Sequence, residues 1–301
     1  MVRYMIGQYG GFDVAKYRRD FKEGFHGIEA CLFSTEEDIV LLREESKRRG
    51  YHIGVHFPFR AGQSRFRDAL SLSQDDEIRS HAYQLMENEL AYLAQVEPDY
   101  VLFHYPKPVI LDDRVDWKSW RFDDPIEYRY ESQITFEELS EKSEYLFQWL
   151  TDRSDTYHFI PILEFDALNR YIYDTDLVVN LLHRYPKIKL CLDTARLHLQ
   201  AMIDPNFDAK FILKKYAKYA ELIHLSNAQV LDGTVQQRHY PVLPELNPAE
   251  GWAPIQDYLQ LIFEENKQVR ILFEHRSDLI GDEELLRCYA WVDELFTKHA
   301  L

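Results

Sequence analysis

The stretch "IKLCLDTARLHLQ" (Ile188–Gln200) decides the fold. Its first half is a short apolar, β-type run that ends on a carboxylate, Asp193. Its second half passes through Thr-Ala into a helical pattern with Arg196 on the first turn. A strand feeding directly into a helix is one βα unit. Seven further apolar runs look alike: "RYMIGQ" (3–8), "GIEACLF" (27–33), "HIGVHF" (52–57), "DYVLFHY" (99–105), "FIPILEF" (159–165), "ELIHLS" (221–226) and "VRILFEH" (269–275). Helical candidates lie between them, near 13–23, 35–49, 75–96, 135–150, 175–184, 206–220 and 254–265, with a last one at 281–298. Strict alternation of strand and helix implies a parallel sheet. Eight units in 301 residues fit an α/β chain folded as a single (β/α)8 TIM barrel, one domain over 1–301. The rival, an open doubly wound sheet, expects a Gly-rich phosphate turn after its first strand, and "GQYGGF" is too loose for one. Three long segments, 57–74, 105–134 and 226–253, follow strands and so belong to the C-terminal face, where long loops build or cover sites.

Composition narrows the function. The chain is 46% hydrophobic with a formal charge of −16, enough apolar residue for a large core and a poor match to a duplex-binding surface. No apolar run of about 18 residues suggests a membrane span, and the first residues lack a signal-peptide pattern. Cys31, Cys191 and Cys288 sit in apolar contexts without metal-type spacing and read as reduced thiols of a cytoplasmic protein. Neither a nucleic acid nor a membrane is an expected partner. A homo-oligomer stays open.

The strand ends carry the chemistry. Six successive candidate strands finish on a metal-capable residue: His56, His104, Glu164, Asp193, His224 and Glu274. Taken singly, each has a plain structural explanation, and Asp193 before "TARLHLQ" could simply cap a helix. In a barrel, the six ends meet at one mouth, and side-chain alternation aims them inward. Three carboxylates and three imidazoles pooled there would be badly desolvated without a cation. Mixed nitrogen and oxygen donors suit Mn, Zn or Co.

The segments "GIEACLF", "VHFPF", "LFHYP", "ILEFD", "CLDTARLH", "IHLSNA", "RHYPV" and "ILFEH" together resemble the xylose isomerase-like TIM barrels. That superfamily includes sugar phosphate isomerase/epimerase proteins and endonuclease IV-like proteins. The resemblance implies one metal held by Glu164, Asp193, His224 and Glu274, with Glu164 and Glu274 as the acid/base pair. In the nuclease branch, residues matching His56 and His104 help to hold a further metal. The third-metal pattern of that branch is broken here: "DTAR" has Arg196 where a His would stand, and "QRH" has Gln237 where an Asp would stand, leaving His239. A guanidinium offers no lone pair, so Arg196 suits a substrate anion or a rim ion pair.

Two enzymatic readings follow. The first is a metal-dependent isomerase or epimerase of a sugar or sugar phosphate, in which carboxylates shuttle a proton through an enediolate. The second is a dinuclear metallohydrolase, such as a phosphoesterase, using His56 and His104 for a second metal. A non-enzymatic binding barrel would have little use for a full ligand set. Arg196, Arg238, Arg276 and Lys107 are candidates for a phosphate or carboxylate tail, Trp117, Trp120 and Trp252 for covering a sugar, and His239 for a metal or substrate. Among the other histidines, His198 is expected on a helix surface, His26, His158 and His299 in solvent, and His275 pointing away from Glu274.

Overall fold

The computed structural model describes residues 3–300, with side chains described through residue 298, so the side chain of His299 lies outside the described residues. Eight strands form a parallel barrel: β1 (Tyr4–Tyr9), β2 (Gly27–Cys31), β3 (His52–His56), β4 (Tyr100–Tyr105), β7 (Ile160–Phe165), β8 (Lys189–Asp193), β9 (Ala220–Leu225) and β12 (Arg270–Phe273). It closes in the order β1-β12-β9-β8-β7-β4-β3-β2. Each strand falls on one of the eight expected runs. Two of the long segments contain strands of their own. β5 (Val109–Leu111) pairs in parallel with β6 (Tyr128–Tyr130). β10 (Asn227–Leu231) and β11 (Thr234–Tyr240) form an antiparallel hairpin. Pieces of three residues are too short to declare an alternation, which is why 105–134 reads as loop in the sequence.

The helices differ from expectation mainly at their ends. The helix expected at 135–150 runs over Phe136–Tyr157, opened by a capping box between Thr135 and Glu138 and closed by His158 in the left-handed region. The candidate at 175–184 is Leu177–Arg184, preceded by the short Arg170–Tyr173. The one at 206–220 is shorter, Ala209–Tyr216. No helix among the described residues is long and apolar enough to cross a membrane. Cys31, Cys191 and Cys288 are buried and unpaired.

Inside the barrel, Met5, Tyr100, Leu102, Ile162, Cys191, Leu222 and Leu272 form an apolar plug of the layered kind that fills such barrels. Tyr100 fits because its neighbour on β3 is Gly54, where a Cβ would meet the Tyr100 ring at 2.1 Å. A second apolar group joins the two long segments above. Val109 and Leu111 of β5, Trp117, Trp120, Leu199 and Val230 of β10 pack together. The plug is a floor, and these segments wall one side of the space above it.

Candidate functional site

The layer directly above the plug is polar, and the period of two along a strand places it there. His104, Glu164, Asp193, His224 and Glu274 each stand two residues beyond an inward apolar side chain: Leu102, Ile162, Cys191, Leu222 and Leu272. Barrel tilt sets their heights. His104 pairs with Glu164 across β4 and β7, and Asp193 with His224 across β8 and β9. His56 closes β3 beside them. All six expected side chains therefore meet at one mouth. Five are buried; Glu274 keeps 31% of its side chain exposed.

The imidazoles are held from behind. His104 Nδ1 lies 2.8 Å from Asp68 Oδ1, His56 Nδ1 lies 3.0 Å from the Phe57 carbonyl, and His224 Nε2 lies 3.3 Å from Glu29. An acceptor behind one ring nitrogen fixes the tautomer and leaves the other nitrogen's lone pair aimed forward. The forward nitrogens crowd one carboxylate. His104 Nε2 and His56 Nε2 lie 2.8 and 3.4 Å from Glu164 Oε2, and His224 Nδ1 lies 3.0 Å from Glu164 Oε1 and 3.2 Å from Glu274 Oε2. These distances are short, yet Glu164 Oε1, Glu164 Oε2, His224 Nδ1 and Glu274 Oε2 have no hydrogen-bond partner. The atoms face a common space instead of aligning with one another. Buried polar atoms are rarely left this way, and donors that face a common space are what a cation requires. Ligand-capable atoms of Glu164, Asp193 and Glu274 come within 4.8 Å of one another, as do those of His56, His104 and Glu164.

Asp193 divides its two oxygens. Oδ1 caps the helix Thr194–Ile203, accepting from the backbone N–H of Ala195 at 2.8 Å and of Arg196 at 3.1 Å. Oδ2 is left facing the mouth, 3.3 Å from Arg196 Nε. The capping and the ligand explanations of this aspartate are thus compatible. Electrostatics follow the crowding. Burial and the neighbouring Glu274 push the Asp193 carboxyl up to about 6. Burial opposes ionisation of Glu274, but His224 overrides it and holds that carboxyl down at about 2. Burial likewise disfavours charge on His56 and His224, but Cys31 and then Glu164 beside His56, and Cys191 and then Glu29, Glu164 and Glu274 beside His224, raise both well above the ordinary histidine range.

Arg196 enters this layer from the helix. Its guanidinium lies 3.2 Å from Asp166 Oδ1 and 3.1 Å from His104 Nε2, so it takes up the forward lone pair of His104. Lys107, a candidate substrate contact, lines the space above the layer with its charge already paired. It is buried, with its ammonium 2.8 Å from Asp68 and 2.7 Å from Asp166. Those carboxylates raise its pKa against the effect of burial.

Above the layer opens a cavity of about 650 Å³ whose wall includes Trp120, Arg196, Arg238, His239 and Arg276. Trp117 and Trp252 are buried outside that wall, Trp117 against Trp120 and Trp252 against Tyr240. His239 sits on β11 with φ of 48°, and its carbonyl accepts the Arg276 N–H at 2.7 Å. Two of the plainer histidine expectations are corrected. His198 is buried, with Nε2 2.9 Å from the Gly251 carbonyl, because its helix is covered by the 226–253 segment. His26 is drawn in by Asp99. His158 is exposed, and His275 packs on Tyr289.

Glu29, Asp68 and Asp166 were not expected at the site. Glu29 takes the Tyr100 hydroxyl at 2.8 Å as well as His224. An acid amid "GIEACLF" is a signal for Glu29, and Asp166 shares the inward face of "LEFD" with Glu164. Nothing in the sequence marks Asp68.

No protein-family model matches the chain, and no curated protein matches it by sequence. Solved structures do match in shape. One, described as a D-tagatose 3-epimerase-like protein, is 12% identical over 97% of this chain and 98% of its own, with a TM-score of 0.63. The IOLI protein, crystallised with a binding zinc atom, is 11% identical over 99% of each chain, with a TM-score of 0.64. The 3-keto-D-glucoside 4-epimerase YcjR from E. coli, in its apo form, is 13% identical over 97% of this chain and 99% of its own, with a TM-score of 0.60. The chain has the fold of the xylose isomerase-like TIM barrels, end to end.

Proposed function

We propose that the chain is a metal-dependent isomerase or epimerase of a sugar or sugar phosphate. Glu164, Asp193, His224 and Glu274 would hold one divalent ion, of Mn, Zn or Co, and Glu164 and Glu274 would move the proton. The observation that carries this reading is the set of buried, unpartnered atoms on Glu164, His224 and Glu274 that face one space. Two of the shape relatives are epimerases or epimerase-like by description, and a third carries zinc. Three buried, unpaired thiols fit a reducing compartment such as the cytoplasm.

The bound ion would act as a Lewis acid, stabilising negative charge that develops on substrate oxygen. The protein's own groups do the rest. Glu164 stands on β7 and Glu274 follows β12, with β8 and β9 between them in the barrel. They can flank a flat enediolate, one removing a proton bound to carbon and the other returning it. His224, held from behind by Glu29, spaces the two carboxylates. Trp120 and the linked segments above limit access of water to the reacting carbon.

The second reading is the dinuclear hydrolase, favoured by the approach of His56 and His104 to Glu164. Against it, the Arg196 guanidinium occupies the forward side of His104, and its fixed positive charge repels a second cation. Incubation with ketoses and ketose phosphates in D2O tests the choice. An isomerase or epimerase incorporates solvent deuterium at the carbon it acts on, and Glu164→Gln and Glu274→Gln both abolish it. Release of alcohol from a phosphodiester without any deuterium uptake would instead establish the hydrolase.

A further inference from the structure

The wall of the cavity above the polar layer carries guanidinium groups that no carboxylate pairs. In a protein with 51 acidic and 35 basic residues, most arginines find a carboxylate. Within this cavity, Lys107 is matched by Asp68 and Asp166, Arg196 by Asp166 and Asp193, and Arg276 by Asp278. Arg67, Arg121 and Arg238 line the same wall and make no ion pair among the described residues. Of the carboxylates in that wall, Asp123 alone has a side chain without a partner among the described residues; Glu127 is occupied by the backbone N–H groups of Asp123 and Asp124. Counted by ion pairing, three guanidinium groups stand against two carboxylates, Asp123 and Glu127.

Arg67 and Arg121 reach solvent at the cavity's edge, and Arg238 lies deeper. Arg238 is half-buried and spends one donor on the Ser119 carbonyl at 2.8 Å, which aims it from the hairpin toward the segment carrying Arg121. Burial, and then Arg121 and Arg196, lower its pKa. Like charges gathered in a concave wall are unfavourable unless an anion joins them. Guanidinium forks match the tetrahedral oxygens of phosphate, and none of these three is held by a carboxylate.

We propose that Arg67, Arg121 and Arg238 form a phosphate subsite, so that the substrate is a sugar phosphate monoester and not a free sugar. This rests on the reading of the mouth as a carbohydrate-converting site, but it is tested apart from it. The probe is inorganic phosphate, titrated calorimetrically into chelator-treated protein at low ionic strength, with acetate as the singly charged control. Saturable phosphate binding at one site per chain is expected, with acetate at least about tenfold weaker. Arg121→Gln combined with Arg238→Gln should weaken phosphate by about tenfold or more, the loss of one or more charge-assisted hydrogen bonds. Should that pair of changes disturb folding, Arg67→Gln alone, at an exposed side chain, must weaken phosphate severalfold. Absence of saturable binding, equal affinity for acetate, or unchanged binding in the variants (an adventitious ion only) would overturn the subsite. Phosphate binding to a protein that takes up no divalent metal would uphold the subsite while ending the metal reading. Metal uptake without phosphate binding would do the reverse.

Discussion

At the N-terminal ends of the strands, His26 and His52 stack with ring centroids 4.3 Å apart and share Asp99, whose oxygens lie 3.3 and 2.9 Å from one ring nitrogen each. At the C-terminal ends, His56, His104 and His224 crowd Glu164 at 2.8 to 3.4 Å. By distance alone both groups could hold a metal ion. Direction separates them. Below, each Asp99 oxygen is engaged by its own imidazole, and Arg270 stands 3.9 Å away as an added charge. Above, neither Glu164 oxygen has a hydrogen bond, although it is more deeply buried. The lower group satisfies itself; the upper one is arranged for something that is not protein.

Substitution of the central acid at each end probes this contrast most strongly. Glu164→Gln removes a proton-transfer group and a ligand, and turnover should fall by roughly 10³-fold or more, with metal content lost in parallel. Asp99→Asn should leave both turnover and metal content as they were. Equal losses from the two substitutions would break the contrast.

A second effect is on folding. Lys107→Met strands Asp68 and Asp166, both buried, without their cation, and should cost about 3–5 kcal/mol in urea unfolding. A loss below about 1 kcal/mol would mean that Arg196 and His104 balance those acids alone. Arg196 gives a third, smaller readout. Arg196→His removes the fixed charge and supplies a lone pair, so zinc bound per chain should rise from one to two. An unchanged value would remove Arg196 as the reason for a single ion.

The smallest effect belongs to the lower group and depends on pH. Burial opposes ionisation of Asp99, but His26 and His52 hold its carboxyl below the ordinary range. A group whose pKa is depressed by folding contributes stability above its unfolded value, about 3.9, and loses it as pH falls through the folded value. Asp99→Asn should therefore lower the free energy of urea unfolding at pH 7, by about 1 kcal/mol or less for so accessible a group. The gap should close as pH falls below the unfolded value. A gap that widens in acid would reverse the assigned sign.

Much of this was legible in the sequence for a specific reason. An inward residue two positions beyond an apolar one is written directly into strands such as "KLCLD" and "LIHL", so Asp193 and His224 were placed by periodicity. Glu29 was hidden because it lies mid-strand in β2, where an acid has no place in an end-of-strand search. A lysine just past a strand gives no sign that two acids, one from a distant loop, enclose Lys107. Asp68, Arg67 and Arg121 lie in irregular segments, where no period ties position to direction. The strands of the 226–253 segment went unread as well, and with them the burial of His198.

Crystals equilibrated with Mn²⁺ and measured for anomalous scattering test the central claim most directly. The account expects one strong peak per chain, bounded by Glu164, Asp193, His224 and Glu274. No peak at the mouth, or a peak only between His26, His52 and Asp99, would contradict it.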